Sequence, residues 1–320
     1  MRKLYPEHLL KPDSNALVSI LGNYGLKFVS FLIPKKGIEN TTVVVKTDKG
    51  NFVLRVYRRD KKKEREIRQE IEFMRYLKKH GIPVPRIIPN LGGQVTSKYH
   101  TSGYDWDCIL MEFIQGDHPR VYSAKLIKEL ATCQAHMHNL GIALTKEWKY
   151  RSKILRILEE KEFGPHIESK KIKGLGVKAF LARAKRAKVV LGDKLPKGFN
   201  HLDYVRANTL IRGDRLVAVL DFDDIAFCPM AVCLGYTLWS VWRATGSIRK
   251  VREYIRQYSR TRILSKGEIQ SLKDIILFRN YAMGAMEILL YGERSRYVSR
   301  VLDLEKRIAE TSYALFAAAV

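Results

Sequence analysis

Two β-branched and aromatic runs, NTTVVVKT over residues 40–47 and NFVLRVY over residues 51–57, flank Asp48-Lys49-Gly50. A turn of that composition between such runs is strong hairpin chemistry, because Asp and Gly supply the backbone angles a tight reversal needs. An antiparallel sheet therefore opens the chain. The period then changes: Ile67, Ile71, Met74 and Leu77 fall on one face of a helix over residues 64–80, stopped by Gly81 and followed by Pro83 and Pro85. One more strand is expected over residues 106–114. Beyond it, Gln115-Gly116-Asp117-His118-Pro119 breaks the regularity and a helix-rich sequence starts near Ser123. The expectation is an α+β chain with a small β-rich lobe over residues 1–115 and a larger helical lobe over residues 116–320.

Within the second lobe, residues 156–191 read as helical and basic, and residues 195–199 as a Pro/Gly connector. A second hairpin is expected, with residues 209–212 and 216–222 as strands around Gly213-Asp214-Arg215. The remainder, to Val320, reads as helices. Its longest apolar run, residues 230–242, is well short of the ~20 residues of a membrane span and suits a buried helix.

With 320 residues, 46% of them hydrophobic, the chain can bury a large core without disulfides. Cys108, Cys133, Cys228 and Cys233 form no CxxC pair and are expected to be reduced and mostly buried. Cys133, His136 and His138 could form half of a metal site. Leu126, Leu130, Cys133, Met137 and Leu140 also make a helical apolar stripe, however, and we read Cys133 as packing. Arg2, Lys3, Glu7, His8, Lys11 and Asp13 leave no apolar core for a secretory leader, so a cytoplasmic location is expected. The formal charge is +25, with basic clusters over residues 58–65, 170–188 and 249–262. We read these as solvated faces whose field also draws in an anionic nucleotide. No RRM, KH or zinc-finger pattern accompanies them, so specific nucleic-acid recognition is not expected.

Chemistry concentrates between residues 201 and 224. Asp203 follows His201 by two, Asn208 follows Asp203 by five, and Asp221 stands at the far end of the second hairpin. A two-residue turn at Asp214-Arg215 would put Asn208 opposite Asp221, and a turn at Gly213-Asp214 would leave them diagonal neighbours. An amide oxygen and a carboxylate meeting there would suit Mg²⁺, which takes oxygen ligands and completes its shell with water and phosphate. Asp203, on the loop entering the hairpin, could accept or orient the proton of an attacking hydroxyl.

HLDYVRAN followed by DFDD resembles the HxDxxxxN and DxD signature of the aminoglycoside phosphotransferase, choline kinase and homoserine kinase group, which shares the protein-kinase fold. FVLRVY, a glutamate-bearing helix, GIPVP, ILMEFIQG and HMHNLGI resemble segments of that group in the same order, so that the likeness covers most of residues 40–235. The resemblance implies ATP, or GTP, with Mg²⁺ and a small hydroxyl-bearing acceptor. It makes Asp203 the catalytic base or hydroxyl-orienting residue, Asn208 and Asp221 the metal ligands, and Asp223 a possible supplementary ligand. It makes Arg55 the cationic contact to the phosphates, with Glu70 its partner in preference to Glu66. It gives Met111 and Phe113 backbone contacts to the base, and His201 a supporting hydrogen bond. The chain departs from the group at Leu202, where glycine is common, and in the expected phosphate-covering loop near residues 34–41, whose one glycine is Gly37.

The chief alternative is a homoserine kinase of the same fold. A non-catalytic module binding nucleic acid or an anionic surface would use the basic clusters but not Asp203, Asn208 and Asp221. A protein kinase would need an activation segment that is not recognisable after Asp221. Over residues 225–320, fifteen Lys plus Arg face eight Asp plus Glu, a net of +7. That sign disfavours polycationic acceptors and favours anionic, zwitterionic or neutral ones.

Overall fold

The computed structural model describes residues 12–34, 40–58, 63–101, 104–144, 177–188, 195–291 and 298–317. The chain divides into two compact units, Met1–Gln115 and Gly116–Val320.

Among the described residues, the first unit is an antiparallel sheet with two helices. Helix α1 (Ser14–Gly22) starts at Asp13, whose carboxylate accepts from Asn15 N–H at 3.2 Å. Strands β1 (Phe28–Leu32), β2 (Thr41–Thr47) and β3 (Gly50–Val56) follow, then helix α2 (Glu64–Lys79). Strands β4 (Ile87–Ile88), β5 (Ser97–Thr101) and β6 (Tyr104–Glu112) complete the sheet, in the order β1-β2-β3-β6-β4 with β5 also on β6. Along β2, Val43 and Val45 are buried and Lys46 is exposed, as the two-residue strand period requires. They join Leu17, Leu21, Leu54, Val56 and Leu110 in one core. The first hairpin closes one residue earlier than expected, at Asp48-Lys49, because Gly50 pairs with Thr47 and takes a φ of 112°. Gly37 and the rest of residues 35–39 lie outside the described residues.

The second unit opens with α3 (Ala124–Ala143), capped by the Ser123 hydroxyl, which accepts from Leu126 N–H at 3.0 Å. Helix α4 (Val177–Lys188) is the described part of the basic segment expected to be helical over residues 156–191. Strands β7 (Lys197–Asn200), β8 (Thr209–Arg212), β9 (Arg215–Val219) and β10 (Ala226–Pro229) form two hydrogen-bonded pairs, β7 with β10 and β8 with β9. Helices α5 (Met230–Thr245), α6 (Ile248–Ser259), α7 (Lys266–Tyr291), α8 (Val298–Glu310) and α9 (Ala314–Ala317) finish the chain. Every residue from Met230 to Trp242 is buried, so the apolar run is a core helix. Among the described residues, no helix is long and apolar enough to cross a membrane.

The β7–β10 pair corrects two sequence expectations. Residues 195–199 are not a plain connector, and the chain after residue 225 is not helical throughout. Each strand has only four residues, and neither could hold its shape without the other. Their pairing brings together the two ends of the 201–225 segment, with Asn200 opposite Ala226.

Glycines allow α3 to approach β7 backbone to backbone. A Cβ on Gly141 would lie 2.0 Å from the Phe199 carbonyl oxygen, and one on Gly198 would lie 2.8 Å from that of Gly141. Gly141→Ala must therefore force the two backbones apart. We expect a loss of about 3 kcal/mol, which thermal unfolding would register as a fall in Tm of roughly 5 °C. A variant melting with the wild type would show that the approach can relax without cost.

Candidate active site

Asp203 sits where the backbone leaves β7 and enters the second hairpin, and three side chains fix that passage. His201 Nε2–H donates to the Leu220 carbonyl at 2.9 Å, while its Nδ1 accepts from the Asp203 N–H at 3.2 Å. One neutral tautomer satisfies both bonds, and so ties the loop before the hairpin to the segment after it. The ring is buried, with Phe222 packed edge-on at 4.5 Å.

The Asp203 carboxylate is held at both oxygens. Oδ2 accepts from Asn208 Nδ2 at 2.7 Å, and the same amide nitrogen donates to the Asp203 carbonyl at 2.9 Å. Oδ1 accepts from Arg279 Nη2 at 2.7 Å. Each carboxylate oxygen keeps a further lone pair, and the Asp203 side chain is 26% exposed. The group is thus fixed in orientation while still open to solvent.

Leu202, which stands where the related signature commonly has glycine, has a φ of 59° and is fully buried. The left-handed conformation costs a branched side chain roughly 1–2 kcal/mol. Burying the leucine side chain offsets this by a similar amount, about 1.5–3 kcal/mol.

The hairpin turn is the second of the two expected, but the register beyond it matches neither. The turn is Gly213-Asp214, since Arg212 pairs with Arg215, and a bulge then shifts the register so that Leu210 pairs with Ala218. Leu220 N–H donates to the Asn208 carbonyl at 2.8 Å, which puts Leu220, not Asp221, across from Asn208. Strand alternation alone would separate the Asn208 and Asp221 side chains. Asp221 has left the strand, however, and its φ of 62° takes it out of that alternation. Asn208 is buried, Asp221 is exposed and Asp223 is half-buried.

In the first unit, Arg55 is buried on β3 and its Nη1 lies 3.9 Å from Oε1 of the fully buried Glu70 on α2. Glu70 also accepts from the Tyr57 hydroxyl at 3.0 Å, and the Arg55 guanidinium lies over the Tyr57 ring. Glu66, the other candidate partner, instead accepts from Lys63 N–H and caps α2. Met111 stands inside the sheet between Val53 and Ile87, whereas Phe113 lies just beyond β6 and is exposed.

Of the other cysteine and histidine candidates, His138 and Cys133 pack inside the second unit, whereas His136 is exposed. His138 is buried, its Nδ1 bonded to the Tyr258 hydroxyl at 2.6 Å. Burial first, and then the nearby Arg262 and His201, hold its pKa well below the usual value. Burial pushes the Cys133 thiol up to about 12, which keeps it a neutral thiol. Among the described residues no three His, Cys, Asp or Glu side chains cluster as metal ligands.

Sequence reasoning missed Arg279. The signal was present: an arginine inside the run IILFRNYAMGA of α7 is a charge placed where only apolar side chains belong. Such a group must have a partner. Spacing could not say that the partner lies 76 residues upstream.

The antiparallel sheet unit followed by a helical unit is the protein-kinase-like arrangement, and the family and relatives that match the chain make it a kinase acting on a hydroxyl group of a small molecule. The chain belongs to the phosphotransferase enzyme family, whose model matches residues 31–268. It is 25% identical over 271 residues to a homoserine kinase of Bradyrhizobium diazoefficiens, covering 81% of this chain and 79% of that protein. In three dimensions it is similar to the amicoumacin kinase hAmiN in complex with AMP-PNP, Ca²⁺ and Ami, with a TM-score of 0.73, 15% identity, and 95% and 97% of the two chains covered. A microcompartment-associated aminopropanol kinase gives a TM-score of 0.70 at 18% identity, with 96% of each chain covered.

Proposed function

We propose that this phosphotransferase moves the γ-phosphoryl group of magnesium ATP to the hydroxyl of a small zwitterionic or anionic acceptor, with amino-acid alcohols such as homoserine as the first candidates. The observation that carries this reading is the Asp203 carboxylate, gripped by Asn208 and Arg279 yet open to solvent. In that arrangement Asp203 receives or orients the acceptor's proton as its oxygen attacks.

The residues present suit a magnesium ion. Asn208 turns its Nδ2 to Asp203, so its Oδ1 faces away and is left as the ligand atom. Asp221, with Asp223 as a supplementary ligand, adds carboxylate oxygens of the hard type that Mg²⁺ prefers. When bound, the ion would neutralise charge on the phosphates. Arg55, set by Glu70, contacts the phosphates, and the backbone beside Met111 and Phe113 serves the base. Phe113 is the better placed of the two, because Met111 lies within the ladder. The first unit is thus the nucleotide-binding lobe, and the second carries the catalytic loop and the acceptor site.

Two features support the acceptor class. Residues 225–320 carry a net charge of +7, and a buried arginine already neutralises Asp203, so polyamines gain little there. Homoserine kinases are also among the similar proteins. The test is a nucleotide-turnover panel with Mg²⁺, in which amino-acid alcohols, sugars and phosphorylated alcohols are compared with kanamycin-like amines at equal concentration. We expect turnover with an amino-acid alcohol and little with the amines. Turnover of the polyamines alone would reject the acceptor class and restore antibiotic modification.

A further inference from the structure

We infer that Arg279 is a positioning residue for the reaction, setting the orientation of the Asp203 carboxylate from a helix outside the catalytic loop. The inference rests on the reading of Asp203 as the group that receives the hydroxyl proton.

Arg279 is 4% exposed, and its guanidinium is gripped by aromatic rings, 4.5 Å from the Tyr236 ring centroid and 5.5 Å from that of Trp239. Trp239 is itself fixed, since its indole N–H donates to Asn280 Oδ1 at 3.1 Å and Asn280 Nδ2 donates to the Val301 carbonyl at 2.8 Å. The rings and the arginine meet because α5 and α7 approach closely one turn away. A Cβ on Gly235 would lie 2.4 Å from Ile275 Cγ2, and Ile275 precedes Arg279 by four residues on α7. A stacked, planar guanidinium loses little freedom on bonding a carboxylate, so it aims its N–H group well. Asn208 fixes Oδ2 from within the loop, and Arg279 fixes Oδ1 from α7. Together they determine the plane of the carboxylate, which one bond could not do.

A purely structural role would make Arg279 a stability residue only. A positioning role makes its loss appear in kcat at unchanged nucleotide KM, with partial recovery by a residue that keeps the charge. The experiment compares Arg279→Met, which retains much of the packing between the rings, with Arg279→Lys, measuring kcat, nucleotide KM and Tm. For folded R279M we expect kcat to fall roughly 100-fold, as misplacement of a reacting group by about 1 Å can do. The nucleotide KM should stay within about twofold, and R279K should lie between R279M and the wild type. A folded R279M with wild-type kcat overturns the inference, as does a loss confined to nucleotide KM. If R279M does not fold, R279K decides: a several-fold fall in kcat at constant nucleotide KM supports positioning, and an unchanged kcat rejects it. Asp203→Asn, assayed in parallel, separates the two readings. Full activity there removes Asp203 as the base, whereas an inactive D203N beside a wild-type-like R279M removes only the role of Arg279.

Discussion

Replacing Asp203 by Asn should lower kcat by about 10²–10⁴-fold, the range expected when a positioned proton acceptor is lost, while the affinity for the magnesium nucleotide stays near that of the wild type. The substitution is nearly isosteric, so the loop should keep its path. It does not satisfy both present partners, however. The carboxylate accepts from Asn208 on one oxygen and from Arg279 on the other. An amide presents one oxygen and one NH₂, so one N–H would face another N–H. A loss of stability of about 1–3 kcal/mol should accompany the loss of rate. Melting curves and nucleotide calorimetry on the same preparation separate the two effects. Near wild-type turnover in a folded D203N protein would show that another group takes the proton.

The second large effect is expected at the proposed metal ligands. Asn208→Ala and Asp221→Ala should each weaken binding of the magnesium nucleotide on the order of tenfold or more, and should have less effect on binding measured without the metal. The two variants should then part company. Asn208 also donates to Asp203, so N208A should lose kcat beyond what saturating nucleotide restores, whereas D221A should recover more of it. Asn208→Asp sharpens the distinction, since it keeps an oxygen ligand but sets a second carboxylate against Asp203 Oδ2. Calorimetry showing unchanged affinity for the magnesium nucleotide in both N208A and D221A would remove them as ligands.

Much of the architecture was legible because it is local. The hairpin around Asp48, the apolar face of α2 and the apolar run of α5 follow from composition and period within windows of fifteen or so residues. The second hairpin was legible in kind but not in register. The extra residue that bulges β9 leaves no mark in the sequence beyond ordinary strand formers. The β7–β10 pair was not legible, because neither four-residue strand has a period of its own and their partnership spans the whole catalytic segment. In the candidate site, Asp203 and Asn208, which the structure joins by a hydrogen bond, could be picked out by spacing, as could Asp221, which lies within nineteen residues of Asp203. Arg279 could not, because its contact with Asp203 depends on how α7 packs beside α5, which only tertiary structure settles. The family match, which ends at residue 268, does not reach it either.

The clamp on Asp203 also bears on when the molecule becomes competent. A ribosome delivers His201, Asp203, Asn208 and Asp221 together, but Arg279 leaves the exit tunnel only after 76 further residues have followed Asp203. Until α7 folds against α5, the nascent chain carries the complete signature with an aspartate held from one side only. Truncated products ending before α7 would lack the Arg279 bond to Asp203 altogether.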